Sequence, residues 1–207
     1  YSLPYIEAHS LQLGWDGSTT RRREDRIQHL RETSESAAAD SDMDFDARVS
    51  RLGIYAQDEW AVTNRWSLYY GVRWEQIETH SYGNSFAGIR DRARILSPLA
   101  QSLWKLSGTR RDQIRLALSR TYNTPPIASL IPRPFTSTNN TPLEPDFQGN
   151  PTLEPELALG LDLAYERFGS GGAALSIGSY VRKIEDVIRS EVTLVGDRWI
   201  SSPINGI

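Results

Sequence analysis

The 207-residue sequence contains no cysteine, which excludes disulfide frameworks, thiolate metal sites and cysteine nucleophiles. Histidine is scarce. His9, His29 and His80 fall in separate stretches, without the His-x-His or His-Glu-x-x-His spacing of a zinc site. No Gly-x-Ser-x-Gly elbow and no phosphate loop occur; Gly169 to Gly172 is too short for one and precedes a strand pattern, so it reads as a turn. The adjacent acids Asp58 and Glu59 project to opposite faces of any strand and cannot share acid and base work. The expectation is therefore that the chain is not an enzyme, binds no metal through its own side chains and carries no cofactor. Long hydrophobic runs are missing too. Nothing approaches the roughly 18 to 20 apolar residues of a spanning helix, and mean hydropathy is -0.47. That excludes a helical membrane protein but not a β-barrel, in whose strands only every second residue is apolar. With a net charge of -3 there is no clustered basic excess of the kind that grips nucleic acid, so nucleic acid is set aside as a partner. The sequence begins at Tyr1 without a methionine or a signal peptide and stops at Ile207 in what reads as a loop. It is expected to be an excerpt of something longer.

What the chain does contain is alternation. Leu157, Leu159, Leu161, Leu163 and Tyr165 alternate with small or polar residues, which gives an extended strand one apolar face. Trp66, Leu68, Tyr70, Val72 and Trp74 repeat the pattern with aromatics at its ends, the placement suited to rings at a hydrocarbon–water boundary. Further strands are expected over Tyr5–Asp16, Asp46–Trp60, Trp66–Glu78, Ala93–Leu106, Gln113–Tyr122, Leu157–Phe168 and Ala173–Arg182. Ala93–Leu106 contains Pro98, which lacks a ladder donor and belongs at an irregular position. Asp58 interrupts the apolar side of its strand, tolerable only near an interface. Between the strands, long loops are expected at about 24–45, 80–92, 123–154 and 184–207, the last with room for partial pairing, alternating with short connections at Thr63-Asn64-Arg65, Ser107–Asp112 and Gly169–Gly172. The basic run Arg21–Arg26 reads as a solvated strand end, with a phosphate site as the alternative.

Short turns at one end and long loops at the other, on strands of about 10 to 14 residues, describe an outer-membrane barrel better than a soluble sheet, whose strands average five or six. The fold class is all-β: an antiparallel up-and-down meander of about seven long strands, one partial β-barrel domain over residues 1–207, forming an open sheet if isolated.

The strands also carry a resemblance. Tyr55-Ala56-Gln57-Asp58-Glu59-Trp60 followed by Tyr70-Gly71-Val72-Arg73-Trp74-Glu75 resembles the "YAQDEW…GLRYE" strand pair of TonB-dependent outer-membrane receptors. Leu96-Ser97-Pro98 with Trp104-Lys105-Leu106, then Leu118-Ser119-Arg120-Thr121-Tyr122-Asn123-Thr124-Pro125, then Gly149-Asn150-Pro151-Thr152-Leu153-Glu154-Pro155-Glu156 are similar to the family's successive "SP…Y-K-L", "S-R-x-x-x-x-P" and "GNPxLxPE" signatures, covering roughly Arg48 to Glu166. The resemblance implies a family-typical barrel of twenty-two strands, closed by a plug domain of the same full-length chain and energised by the TonB protein through an N-terminal part. Neither the plug nor the TonB-contacting segment is in this sequence. The implied setting is the bacterial outer membrane, with outer-membrane lipid around the wall. The implied function is import of a scarce nutrient, a ferric siderophore first, with another metal chelate or small-molecule substrate open. A passive porin or a structural or adhesive outer-membrane barrel is the alternative, and a soluble ligand-binding β-barrel a further one.

Within this reading each strand has two destinations. The lipid-facing set is Trp66, Leu68, Tyr70, Val72, Trp74, Leu157, Leu159, Leu161, Leu163 and Tyr165; the lumen-facing polar set is Arg51, Glu59, Arg73, Glu75, Arg115, Asp162, Glu166 and Arg182. Substrate contact is expected from the longest external loop, through Arg133, Phe135, Asn139, Asn140 and Phe147, because loops on a rigid scaffold carry recognition.

Overall fold

Strand alternation and antiparallel register together decide which side chains share a face, since a slip of one residue would exchange the faces entirely. The structure, a computed structural model, describes residues 2–3, 8–30, 39–84, 86–106, 112–132, 134–169 and 171–206. In chain order the elements are β1 (Ser2–Leu3), β2 (His9–Leu30), β3 (Ala39–Thr63), β4 (Trp66–Gly83), β5 (Phe86–Lys105), β6 (Asp112–Asn123), α1 (Ile127–Leu130), β7 (Pro134–Phe135), β8 (Asp146–Gln148), β9 (Glu156–Phe168), β10 (Ala174–Glu185), β11 (Val187–Val195) and β12 (Arg198–Gly206). Strands β1 to β6, β9 and β10 pair in that order as one antiparallel sheet. Its first and last members do not pair with each other, so the sheet is open. A smaller sheet joins the β11–β12 hairpin to β8, in parallel, and to β7.

One row of cross-strand neighbours runs Leu11, Asp58, Tyr70, Ala100, Leu118, Leu161, Val181; the adjacent row runs Gln12, Gln57, Gly71, Leu99, Ser119, Gly160, Arg182. The alternation read from the sequence is thus in phase across all seven long strands. The second row lies on a face that the chain itself covers. Phe45, Ala47 and Ile131 form a buried cluster joined by Ile127, and Ile77, Ile95, Leu130 and Leu153 are buried as well. The segment after β6 therefore folds back over the upper parts of β3, β4 and β5. The other face is bare: Leu13, Ile54, Val72, Leu96, Leu118, Leu161, Leu163 and Ile177 are all exposed.

Three expected boundaries are corrected. The loop at 24–45 is strand over residues 24–30 and 39–45, because the β2–β3 ladder continues from His9↔Trp60 to Leu30↔Ala39, and its residues 31–38 lie outside the described residues. The loop at 80–92 shrinks to a tight connection, since β4 runs to Gly83 and β5 starts at Phe86. The tail 184–207, expected as a loop partly paired, is a bend at Asp186 followed by the β11–β12 hairpin. The physical reason is shared. Ladder hydrogen bonds need no apolar side chain, so strands persist where the apolar alternation that betrays them has ended. The 123–154 stretch is irregular apart from α1, β7 and β8. Tyr5 and the turn residues Ser107–Arg111 lie outside the described residues.

Pro98 marks a real discontinuity. It sits opposite Val72 on one side, while pairing to β6 stops at Leu99↔Ser119. The Leu96 carbonyl accepts from Arg120 Nη1 of β6 at 2.9 Å. In an antiparallel strand the residue two further on aims its backbone the same way, so the donor that Pro98 lacks is one that β6 would have needed. Above this point the upper half of β5 has an open edge, beside a cleft of about 530 Å³ that Arg120, Leu153 and Leu157 help to line.

Candidate functional site

On the covered face Arg73, Glu75, Arg115, Asp162, Glu166 and Arg182 are paired rather than free. Arg73 Nη2 donates to both oxygens of Asp16 at 2.5 and 2.6 Å and to Glu75 Oε1 at 3.1 Å, with the guanidinium 5.9 Å from the Tyr55 ring centroid. It lies across Gly53, where any Cβ would collide with the guanidinium, so the glycine makes this crossing possible. Glu75 is only 3% exposed and also takes the Tyr122 hydroxyl, which reaches it from above the point where β6 leaves β5. Lower on the sheet Arg182 pairs with Asp162 at 2.8 Å and lies over Gly160, and Arg115 stands 3.5 Å from Glu166. Gln12, Gln57 and Tyr69 form a neutral chain between these groups. The result is a polar wall of matched charges, suited to water or to another polar surface.

Above it, a clasp pins the covering segment in place. Asp146, 4% exposed, accepts from Arg198 Nε at 2.6 Å and Nη2 at 3.0 Å, and from the Ser137 amide at 2.7 Å. Asn140 makes a two-way bond with the Trp199 backbone, donating to its carbonyl at 2.8 Å and accepting from its amide at 2.6 Å. Asn205 does the same for Glu154, accepting at 2.8 Å and donating at 3.0 Å. Asn150 donates to the Pro203 carbonyl, and its own Oδ1 accepts from the Thr152 amide and hydroxyl. Gly149 packs so closely on the Ile131 carbonyl that no side chain fits. Glu156 closes the set, accepting from Asn123 Nδ2 and from the Ile188 amide. The Gly149–Glu156 motif is therefore a fastening between the covering segment, β6 and the β11–β12 hairpin.

The Arg198 guanidinium holds the Asp146 carboxyl down to about 2, below the usual carboxylate range. A depressed carboxyl stabilises the fold above its unfolded value near 3.8 and loses that contribution as pH falls through the folded value. Limited proteolysis within residues 134–150 is thus expected to be unchanged between neutral pH and about 5 and to accelerate between about 4 and 2; an Asp146→Asn variant should be cleaved faster at neutral pH and lose the acid step.

The structure distributes the sequence-derived candidates unevenly. Arg51, Glu59, Arg73, Glu75, Arg115, Asp162, Glu166 and Arg182 all fall on the register of the covered face. Trp66, Leu68, Tyr70, Val72, Trp74, Leu159, Leu161, Leu163 and Tyr165 share the opposite register. Leu157 keeps the same register, opposite Tyr122 and Glu185, and is half-buried where it lines the cleft beside β5. Asp58 is buried on the bare face and answered by His9 Nδ1 at 2.7 Å and the Tyr70 hydroxyl at 2.8 Å, one row from Trp60. Of the loop candidates, Phe135 and Phe147 pair with ring centroids 6.1 Å apart. The Asn140 amide is consumed by the clasp, Asn139 is exposed, and Arg133 lies outside the described residues. The clasp residues Asp146, Arg198 and Asn205 escaped the sequence reading, and Asn150 entered it only as part of the Gly149–Glu156 motif.

The sequence profile of the family described as "TonB dependent receptor-like, beta-barrel" matches residues 3–205. No curated protein sequence matches the chain. Among solved structures it is similar to the copper transporter OprC, with a TM-score of 0.69 at 16% identity over 97% of this chain and 30% of that one. It is also similar to the ferric-catecholate import receptor Fiu from K12 E. coli, with a TM-score of 0.60 at 11% identity over 99% and 32%. A third is the Serratia marcescens hemophore receptor HasR, solved in complex with its hemophore HasA and heme, with a TM-score of 0.60 at 10% identity over 95% and 38%. The chain spans about a third of the length of these structures.

Proposed function

We propose, from the premise that this chain belongs to the TonB-dependent receptor-like β-barrel family, that it forms part of the wall and outer gate of an importer in the bacterial outer membrane, and that the cargo is a metal chelate, a ferric siderophore first. The bare face meets outer-membrane lipid. The covered face meets water and the plug domain of the full-length chain, and TonB supplies the energy through the N-terminal part. The observation that carries the reading is the covering segment: a passive porin needs only a wall, whereas here residues 124–132 and 134–155 are folded over the polar face and fastened by Asp146–Arg198, Asn140–Trp199 and Asn205–Glu154. The three similar structures are named for copper, for ferric catecholate and for heme with its hemophore, all metal-bearing cargo, which supports the chelate class. Phe135, Asn139 and Phe147 supply the exposed and half-buried contacts from the covering segment.

The test is uptake of radiolabelled ferric siderophores by an iron-starved host that lacks its own receptors and expresses the full-length protein, with and without functional TonB. Accumulation that requires TonB is expected. Uptake that rises linearly with concentration and ignores TonB would instead establish the passive barrel.

A further inference from the structure

β5 outruns its neighbour. β6 ends at Asn123, and the β5–β6 register, continued past Leu99↔Ser119, would bring that residue only as far as Ile95. Among the described residues nothing pairs with this side of β5 above that level, whereas its other side stays on the β4 ladder up to Ile89. Along an antiparallel strand the backbone groups of successive residues face opposite neighbours. The Leu96 carbonyl faces β6 and is taken by the Arg120 guanidinium. The amides and carbonyls of Arg94, Arg92 and Arg90 therefore face the same way and open onto the cleft of about 530 Å³ that these residues line.

Such an edge is a template for another strand, and its side chains decide which strand it admits. One face of the edge carries Arg90, Arg92 and Arg94, all exposed. Glu78 accepts from Arg92 Nε at 2.6 Å, with Arg90 3.5 Å from the same carboxylate oxygen, while Arg94 stands opposite Gln76 and has no ion pair among the described residues. The other face carries Ile89, Asp91, Ala93 and Ile95. Asp91 thus points away from the arginine row, and the remaining acids at the cleft, Glu154 and Asp186, belong to its far wall. A second copy of this chain would set arginine against arginine, which destabilises a sheet, so the edge rejects itself. A strand with an acid opposite each arginine gains backbone bonds and ion pairs together. We propose that the upper edge of β5 is a docking site for an extended acidic segment of a protein partner. The segment adds as one more antiparallel strand, with acids at every second position opposite Arg90, Arg92 and Arg94 and small apolar residues between them. The outer-membrane reading above enters only in placing this edge, which lies beyond the apolar row Trp15, Ile54, Trp74, Leu96, on the outside of the cell.

The test uses the full-length protein in phosphatidylcholine nanodiscs and a fluorescent peptide, Val-Glu-Val-Glu-Val-Glu-Val, followed by anisotropy. Saturable binding is expected, with none for the peptide that carries lysine in place of glutamate. Methylating the glutamate amides, which face β5 in an antiparallel pair, leaves the charge unchanged and should abolish binding. At about threefold per cross-strand ion pair, the Arg90→Gln/Arg94→Gln variant should bind the unmethylated peptide about tenfold more weakly. Arg65→Gln, at the opposite end of the sheet, should match the wild type. Absence of binding, equal binding of the methylated peptide, or a double variant that binds as tightly overturns the proposal. The methylated peptide is read on the wild type, so the answer does not depend on a variant that folds. A full-length protein that enters no nanodisc overturns the outer-membrane reading, and the same titration in nonionic detergent then decides the strand addition by itself.

Discussion

Leu161→Arg is expected to destabilise the inserted full-length protein by about 2 to 4 kcal/mol, whereas Ala158→Ser should change stability by a few tenths at most. Leu161 sits between Leu118 and Val181 on the bare face and is 47% exposed. In water an exposed leucine already costs burial, so arginine there would be neutral or helpful; in hydrocarbon the same change strands a guanidinium among acyl chains. The sign of the effect therefore distinguishes the two solvents. Ala158 belongs to the alternate register, with Thr121 and Ile184 as neighbours, where a hydroxyl can be hydrated. Urea titrations of the protein refolded into lipid vesicles measure both. Equal effects at the two positions would rule out lipid on the leucine face.

The faces of the wall were legible in the sequence because period-two alternation is a local property and the register of an antiparallel meander propagates it. Trp15, Ile54, Trp74 and Leu96 are far apart in sequence yet form one row, and each could be assigned from its own strand alone. Strand ends were not legible for the same reason. Residues 17–30 and 39–45 are paired over their whole length, but arginine, serine and acid on both faces leave no alternation to read. Pro98 was the exception: a residue without a ladder donor signalled an irregular position in its strand, and pairing to β6 ends beside it, at Leu99↔Ser119.

The site was less legible because its geometry is made by contacts between distant segments. Asp146 and Arg198 are 52 residues apart, and Asn140 and Trp199 are 59. Nothing in a proline-rich stretch says which asparagine will cap a distant strand and which will face solvent. Asn139 and Asn140 look alike in sequence and end in opposite roles, one exposed and one spent on the Trp199 backbone. The Gly149–Glu156 motif could be recognised without its purpose. Its purpose is physical: a glycine that allows contact with the Ile131 carbonyl, an asparagine that folds the turn on itself, and a glutamate that bridges β6 and β11.

The 207-residue chain expressed by itself is expected to aggregate in detergent-free buffer and to become tractable only in detergent. The main sheet ends at β10, every residue of which is exposed, and at β2, of which β1 covers only Leu11 and Gln12. Each edge presents a row of unpaired amides and carbonyls. Water can solvate them but also lets them template pairing with other copies, and hydrocarbon cannot satisfy them at all. The bare face adds a continuous apolar patch from Leu13 to Val181 across seven strands, well beyond the few hundred Å² that soluble monomers carry. The fastenings do not help, because the clasp and the Phe45–Ala47–Ile131 cluster act on the other face. Sedimentation velocity should show large, polydisperse species without detergent and a narrower distribution with it, β-structure being present in both by circular dichroism. A monodisperse, detergent-free monomer would mean that the bare face finds cover within the chain, and would return the protein to the soluble ligand-binding barrels.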